Sequence, residues 1–283
     1  MKTFTDCLPC FLRQAIQAAR LSGAGEEGQR KIADAAEEFL KTVKLSDSPP
    51  MISRNMHVII RKMLDDPDPY RKVKDKYNRL AMSMYPFLKE KVRNSRDPLL
   101  TAVRTAIAGN VIDFGSQLEF ELDSDVNDVL TKEFAVFDYE ALKESLAAER
   151  DILYLGDNTG ETVFDRVLIE EIIGRFGSRI KYAVKEGPII NDATREDAVF
   201  AGLDKVAEIV STGCNSPGIV LEYCSGEFLE LYKNSRLIIS KGQGNFETLN
   251  AEKRPIYFLF KIKCDVVAAF TGLKNGSILI KKN

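Results

Sequence analysis

Histidine is nearly absent from this chain of 283 residues: His57 is the only one. A zinc centre built on several histidines is therefore excluded, and a Ser-His-Asp hydrolase would have to recruit His57. That residue lies in the helical run Met51–Met63, far along the chain from the polar clusters described below, and is expected on a helix surface or in a core. Long apolar runs are missing as well, none approaching the roughly 20 residues that span a bilayer. The first residues carry Lys2 and then Asp6-Cys7, with no apolar stretch or small-residue cleavage site of a secretory signal, so a cytoplasmic protein with no membrane partner is expected. Nor is there an excess of charge. Forty basic against 42 acidic residues leave a net −2, which argues against a dedicated nucleic-acid binder. Five cysteines, an odd number in a chain of this length, argue against a disulfide framework.

What is present divides the chain in two. Residues 1–148 read as a mainly helical region. Apolar positions recur at helical spacing through Leu8, Phe11, Leu12, Ala15 and Ile16, and again through Ile32, Ala35, Ala36, Phe39 and Leu40. Pro49-Pro50 and Asp65-Asp66-Pro67 punctuate the run, a long helix is expected from Tyr70 to Val92, and Asp97-Pro98 opens another over Leu99–Ala108. From residue 149 to 283 strand and helix patterns alternate, the signature of βαβ units. The expected fold is α/β: a helical N-terminal region capping a three-layer α/β/α domain with a mainly parallel sheet. The final segments, Val266–Thr271 and Ser277–Ile280, are expected to add a strand or an edge hairpin.

Each strand-like run of the second half ends in polar residues, and open α/β sheets bind ligands outside the carboxyl ends of their strands. Ile152–Leu155 runs into Gly156-Asp157-Asn158-Thr159-Gly160-Glu161, where Asp157 and Asn158 offer a carboxylate and an amide oxygen. Asp192 stands in the equivalent turn after Ile180–Val184. Oxygen ligands with open positions suit Mg²⁺ or Mn²⁺, with Co²⁺ or Ni²⁺ as substitutes, holding a phosphate. The bland alternative is that these residues only cap helices, since Asp, Asn and Thr are all good N-caps. Leu237–Ile239 ends in Lys241-Gly242-Gln243-Gly244-Asn245-Phe246-Glu247, whose glycines admit close backbone approach and whose Lys241 and Asn245 supply donors. Lys263 closes an apolar run, where a lysine is costly unless paired with an anion or extended to the surface. Neither a dinucleotide fingerprint nor a Gly-Lys-Ser/Thr phosphate loop is present. Cys7-Leu8-Pro9-Cys10 reads as a redox pair, half a metal site or simple packing, and Cys264 is a conceivable spatial neighbour.

Taken together, CLPC at Cys7–Cys10, AGNVIDFG from Ala108, GDNTGETVFDR from Gly156, NDAT from Asn191, SKGQGNFE from Ser240 and KIKCD from Lys261 resemble the metal-dependent damage-control phosphatase family, also called domain of unknown function 89. The CxxC is similar to that of its stand-alone prokaryotic branch. The resemblance implies a metal held by Asp157, Asn158 and Asp192, and substrate contacts from Gln243, Gly244, Asn245 and Glu247 and from Lys263. The Arg-Thr-x-Lys of better-studied branches is replaced here by Phe260-Lys261-Ile262-Lys263, a departure that bears on the substrate. The implied activity is hydrolysis of small phosphomonoesters, such as sugar phosphates or damaged phosphorylated metabolites. Asp157 or Asp192, or a metal hydroxide, would be the nucleophile, and Lys241 and Lys263 would clamp the phosphate. Glu161, Asn110, Asp113, Cys7 and Cys10 are additional candidates. The rival readings are a protein carboxyl methyltransferase using S-adenosylmethionine, which lacks its glycine-rich signature here, and a non-catalytic metal or nucleotide module.

Overall fold

Apolar residues at every position of a strand require cover on both faces, and the strands of this chain obtain it from two layers of helices. In the computed structural model, which describes residues 1–110 and 128–283, seven strands form one sheet in the order β1-β7-β6-β5-β2-β3-β4. They are β1 (Phe134–Phe137), β2 (Asp151–Leu155), β3 (Arg179–Val184), β4 (Glu208–Ser211), β5 (Leu237–Lys241), β6 (Ile256–Lys261) and β7 (Ile278–Lys282). The five strands from β6 to β4 are mutually parallel, and β7 runs antiparallel to β6. Tyr154, Ile239 and Leu259 point into one core while Leu155, Ile238 and Phe258 point into the other, as the two-residue period of a strand requires.

The helices, in chain order, are α1 (Leu8–Leu21), α2 (Glu26–Leu40), α3 (Pro49–Leu64), α4 (Arg71–Arg93), α5 (Pro98–Gly109), α6 (Tyr139–Ala148), α7 (Glu161–Phe176), α8 (Arg195–Phe200), α9 (Gly226–Asn234), α10 (Gln243–Leu249) and α11 (Asp265–Thr271). α7 carries apolar residues around most of its circumference because it is sandwiched between the sheet and α5. The opposite face is covered by α9, α10 and α11. α1, α2 and α3 keep a separate core built on Phe11, Ala15, Ile32, Ile52 and Met56.

The fully buried residues of that cluster run to Tyr70, with Val73 and Ile190 packed against it. α4, α5 and α6 belong to the same core as the sheet, and the unexpected strand β1 extends that sheet beyond β7. Val266–Thr271, expected as strand, is helix α11, with Val267 and Ala268 turned inward and left-handed Gly272 ending it. Between β4 and α9 the chain makes a 3₁₀ turn at Leu221–Tyr223. Of the motif AGNVIDFG, residues from Val111 onward, Asp113 included, lie outside the described residues.

Candidate active site

The chain winds from β2 through β3 to β4 on one side, then crosses to place β5 on the other side of β2. This reversal makes the carboxyl ends of β2 and β5 the topological switch point, where a crevice opens between diverging loops. The two loops there are Gly156–Gly160 and Gly242. A cavity of about 720 Å³ sits over them, lined by Asp157, Asn158, Asp192, Gln243, Gly244 and Glu247 of the core, by Lys263 and Cys264 after β6, and by Cys7, Cys10 and Arg13 of the cap. A somewhat larger cleft, about 840 Å³, opens at the amino ends of β2, β3 and β4 beside Arg179 and Glu208. It lies at the end of a parallel sheet that ligands rarely use.

None of the acids at the switch point caps a helix. α7 begins at Gly160 without a side-chain cap. α8 is capped reciprocally by Thr194 and Asp197, which leaves Asp192 free of that duty. Asp157 is instead held from below: Asn110, at the end of α5, donates through Nδ2 to Asp157 Oδ2 and Glu161 Oε2, both at 2.9 Å. Asn158 Nδ2 donates to the same pair at 2.7 and 3.2 Å. An isolated bridge between Asn158 and Asp192 ties the two turns together, with the Ala193 N–H donating to the Asp157 carbonyl at 2.8 Å. Asp192 Oδ2 is buried without a hydrogen bond, its nearest cation being Lys185 Nζ at 3.4 Å.

Burial raises the Asp157 carboxyl to about 8, and the charges of Glu161 and Asp192 push in the same direction while Lys185 and Lys263 oppose them. Burial likewise raises Asp192 to about 7 against the pull of Lys185. Glu247, which accepts from Gln243 Nε2 at 2.8 Å, is raised by burial to about 7. Gly242, at φ +80°, is what lets the β5 turn pass beneath this group: a Cβ there would lie 1.8 Å from Asp157 Oδ2.

Comparison with known proteins identifies the family. Residues 3–279 match the damage-control phosphatase ARMT1-like domain. The chain belongs to the damage-control phosphatase family. It is 34% identical to a damage-control phosphatase of Pyrococcus horikoshii over 100% of this chain and 99% of that one. It is 35% identical to an uncharacterised protein of Methanocaldococcus jannaschii, covering 100% and 96%. The crystal structure of a DUF89 family protein from Pyrococcus horikoshii superposes with a TM-score of 0.92 at 34% identity, over 100% of this chain and 99% of that chain. Family membership supports a phosphatase role.

In this damage-control phosphatase fold, Asp157, Asn158, Asp192, Gln243, Gly244, Glu247 and Lys263 meet at one cavity, as the sequence led us to expect. Lys241 does not. It is fully buried beneath the cavity floor, and its ammonium donates to Glu161 Oε1 at 2.6 Å, Asp165 Oδ1 at 2.5 Å and the Ala106 carbonyl at 2.8 Å. An ammonium has three protons, so none remains for a phosphate. Asn245 is also turned away: its amide donates to the Gly156 and Lys241 carbonyls and accepts from the Ile219 N–H. Both residues shape the floor rather than touch a ligand. Glu161 and Asn110 belong to the same floor, whereas Cys7 and Cys10 reach the cavity wall.

Three residues of this network escaped sequence reading. Lys185, buried at the end of β3, pairs with Asp192, and the argument applied to Lys263 would have found it. Asp165 accepts from Tyr154 and Tyr182 hydroxyls at 2.7 and 2.8 Å as well as from Lys241. Its signal is a lone carboxylate one turn after Glu161 on the buried face of α7. Arg13 needs the cap to be folded before its place on the wall is visible.

Proposed function

We propose that the chain is a divalent-metal-dependent phosphatase of small phosphomonoesters, with Asp157, Asn158 and Asp192 holding Mn²⁺ or Mg²⁺. The observation that carries this reading is the pair of buried carboxylates, Asp157 and Asp192, which face one cavity, cap no helix and are raised above the ordinary carboxylate range by burial. Asp192 Oδ2, which accepts no hydrogen bond and meets only Lys185 Nζ at 3.4 Å, fits a hard cation. No three His, Cys, Asp or Glu side chains cluster as ligands among the described residues. The fitting set is thus two carboxylates with an amide oxygen, which would hold the ion through the oxygen donors that Mg²⁺ and Mn²⁺ prefer. When bound, the ion supplies charge neutralisation to the phosphate.

The chain's own residues supply the rest. Lys263, exposed on the wall and close enough to bias Asp157, offers a cation to a phosphate oxygen. Asn110 and Asn158 fix the Asp157 carboxylate, so that its outer oxygen keeps one orientation toward the substrate. Asp157 and Asp192 are the candidates for attack on phosphorus or for activating the attacking group. The substrate body lies against Arg13, Gln14 and Ser53 of the cap, whose polarity suits a small hydroxylated metabolite.

The test is hydrolysis of p-nitrophenyl phosphate by metal-stripped protein, with Mg²⁺, Mn²⁺, Co²⁺, Ni²⁺ and Zn²⁺ added back singly. Turnover should return with Mn²⁺ or Mg²⁺. Asp157→Ala and Asp192→Ala should abolish it and remove the thermal stabilisation that the ion gives the wild type. Turnover without any metal, or retained in both variants, would sink the proposal.

A further inference from the structure

Three of the five cysteines face the candidate active-site cavity, and the proposed phosphatase chemistry uses none of them. They come from different parts of the fold. Cys7 and Cys10 stand at the amino end of α1 in the cap, while Cys264 follows β6 in the core beside Lys263. All three are free and partly exposed. Cys264 Sγ accepts from Gln243 Nε2 at 3.5 Å, and the side-chain Oε1 of Gln243 accepts from the Lys263 N–H at 2.9 Å. Cys264 is thus wired to the glycine-rich segment and to the cavity's exposed lysine. Burial raises the thiols of both Cys7 and Cys10, and the sulfur of Cys264 adds to the rise at each, so its field reaches both cap thiols.

We propose that Cys264 and the Cys7–Cys10 pair form a redox-modification site in which a disulfide joins cap to core across the cavity wall. Its effect on turnover rests on the phosphatase reading; its formation does not. The oxidant is a small-molecule disulfide such as oxidised glutathione. A thiolate of the cluster attacks one oxidant sulfur and expels one glutathione thiolate. The facing cysteine then attacks the mixed disulfide and expels the second. The cysteines lose two electrons and two protons, which appear in two glutathione thiols. Formation draws Cys264 away from Gln243, displacing the segment that carries Gly242 and Gly244, and fixes the cap over the cavity. Because burial keeps the cap thiols protonated, the reaction accelerates as pH rises.

The experiment treats the full chain with oxidised glutathione, counts free thiols and maps disulfide-linked peptides by mass spectrometry. Parallel samples are assayed for metal-supported p-nitrophenyl phosphate hydrolysis before and after dithiothreitol. The expected result is loss of two free thiols, a peptide joining Cys264 to Cys7 or Cys10, and a loss of most of the turnover that dithiothreitol restores. Cys264→Ser should form no such link and should lose no turnover on oxidation relative to its own reduced form. A link confined to Cys7–Cys10 or to Cys214–Cys224, or glutathione adducts alone, would overturn the site. A cap-to-core link that leaves turnover unchanged would overturn the regulation. If the reduced protein hydrolyses nothing, the peptide map still decides whether the cross-link exists, so failure of the two proposals can be told apart.

Discussion

Replacing Lys241 by methionine separates a buried structural cation from a ligand clamp. The side chain is fully buried and ion-paired to Glu161 and Asp165 at 2.6 and 2.5 Å, both carboxylates buried as well. Lys241→Met preserves the stem's volume but strands two carboxylates in the floor and leaves the Ala106 carbonyl without its donor. Removing one partner of a buried ion pair costs about 3–5 kcal/mol, because the remaining charge is uncompensated. Urea unfolding followed by circular dichroism should therefore show a stability loss of that order with little change in slope. Adding Asp165→Asn should return about 1 kcal/mol or more, since it removes one of the stranded charges. The sign with pH is also fixed. Burial already raises Asp165 to about 6 against the pull of Lys241, and the variant removes that pull, so protonation of Asp165 protects the fold at low pH and stability falls as pH rises through its folded value. The gap to wild type should widen accordingly. A loss below about 1 kcal/mol, accompanied by a raised KM for phosphomonoesters, would refute the assignment and return Lys241 to the cavity.

His57 is buried in α3 against Tyr70, and burial lowers it from 6.5 to about 3. Its contribution is present above the unfolded value and is lost as pH falls, costing about 2 kcal/mol between pH 6.5 and about 5, so His57→Leu should flatten the acid limb of the melting-temperature profile; identical limbs would refute this. Gly242→Ala would place a methyl group 1.8 Å from Asp157 Oδ2 at a backbone φ of +80°, and it should reduce both unfolding free energy, by about 1 kcal/mol or more, and the Mn²⁺-induced thermal shift. An unchanged thermal shift would show that the β5 turn does not govern the Asp157 position.

The convergence of strand-end residues on one cavity was legible in the sequence because its signal is local: an apolar run followed by a polar turn marks a strand end, and a parallel sheet brings successive strand ends to one rim. Asp157, Asp192 and Lys263 were placed on that cavity this way. Side-chain direction was not legible. Lys241 and Lys263 each close an apolar strand, yet one is fully buried with two carboxylates and the other lies exposed on the cavity wall. What separates them is α7, which carries Glu161 and Asp165 beneath β5 and has no counterpart beneath Lys263. The same holds for caps. Thr194 and Asp192 are equally good N-cap residues by type, and only the hydrogen bonds of Thr194 with Asp197 release Asp192. The helix at Val266–Thr271 was misread because its short apolar run fits either period until Gly272 and the packing of Val267 are known.

Direction also determines the charge of the site as a whole. The connected network contains four buried carboxylates, Asp157, Glu161, Asp165 and Asp192, and two buried lysines, Lys185 and Lys241. With all four carboxylates ionised, two negative charges are left unmatched, the charge of one divalent cation, and burial raises Asp157 and Asp192 against that state. Desolvation makes such a deficit expensive, which favours an ion that enters as a dication over one that enters as a monocation. On the proposed reading the floor therefore contributes to metal affinity without touching the metal. Glu161→Gln tests this, because it halves the deficit while leaving Asp157, Asn158 and Asp192 in place. The dissociation constant for Mn²⁺, read from thermal shifts across a metal titration, should rise about tenfold or more, as for other residues that support a metal site from behind. If Glu161→Gln folds normally and binds Mn²⁺ as tightly as the wild type, the charge deficit is not what draws the ion, and the ligand oxygens of the two turns must account for its affinity alone.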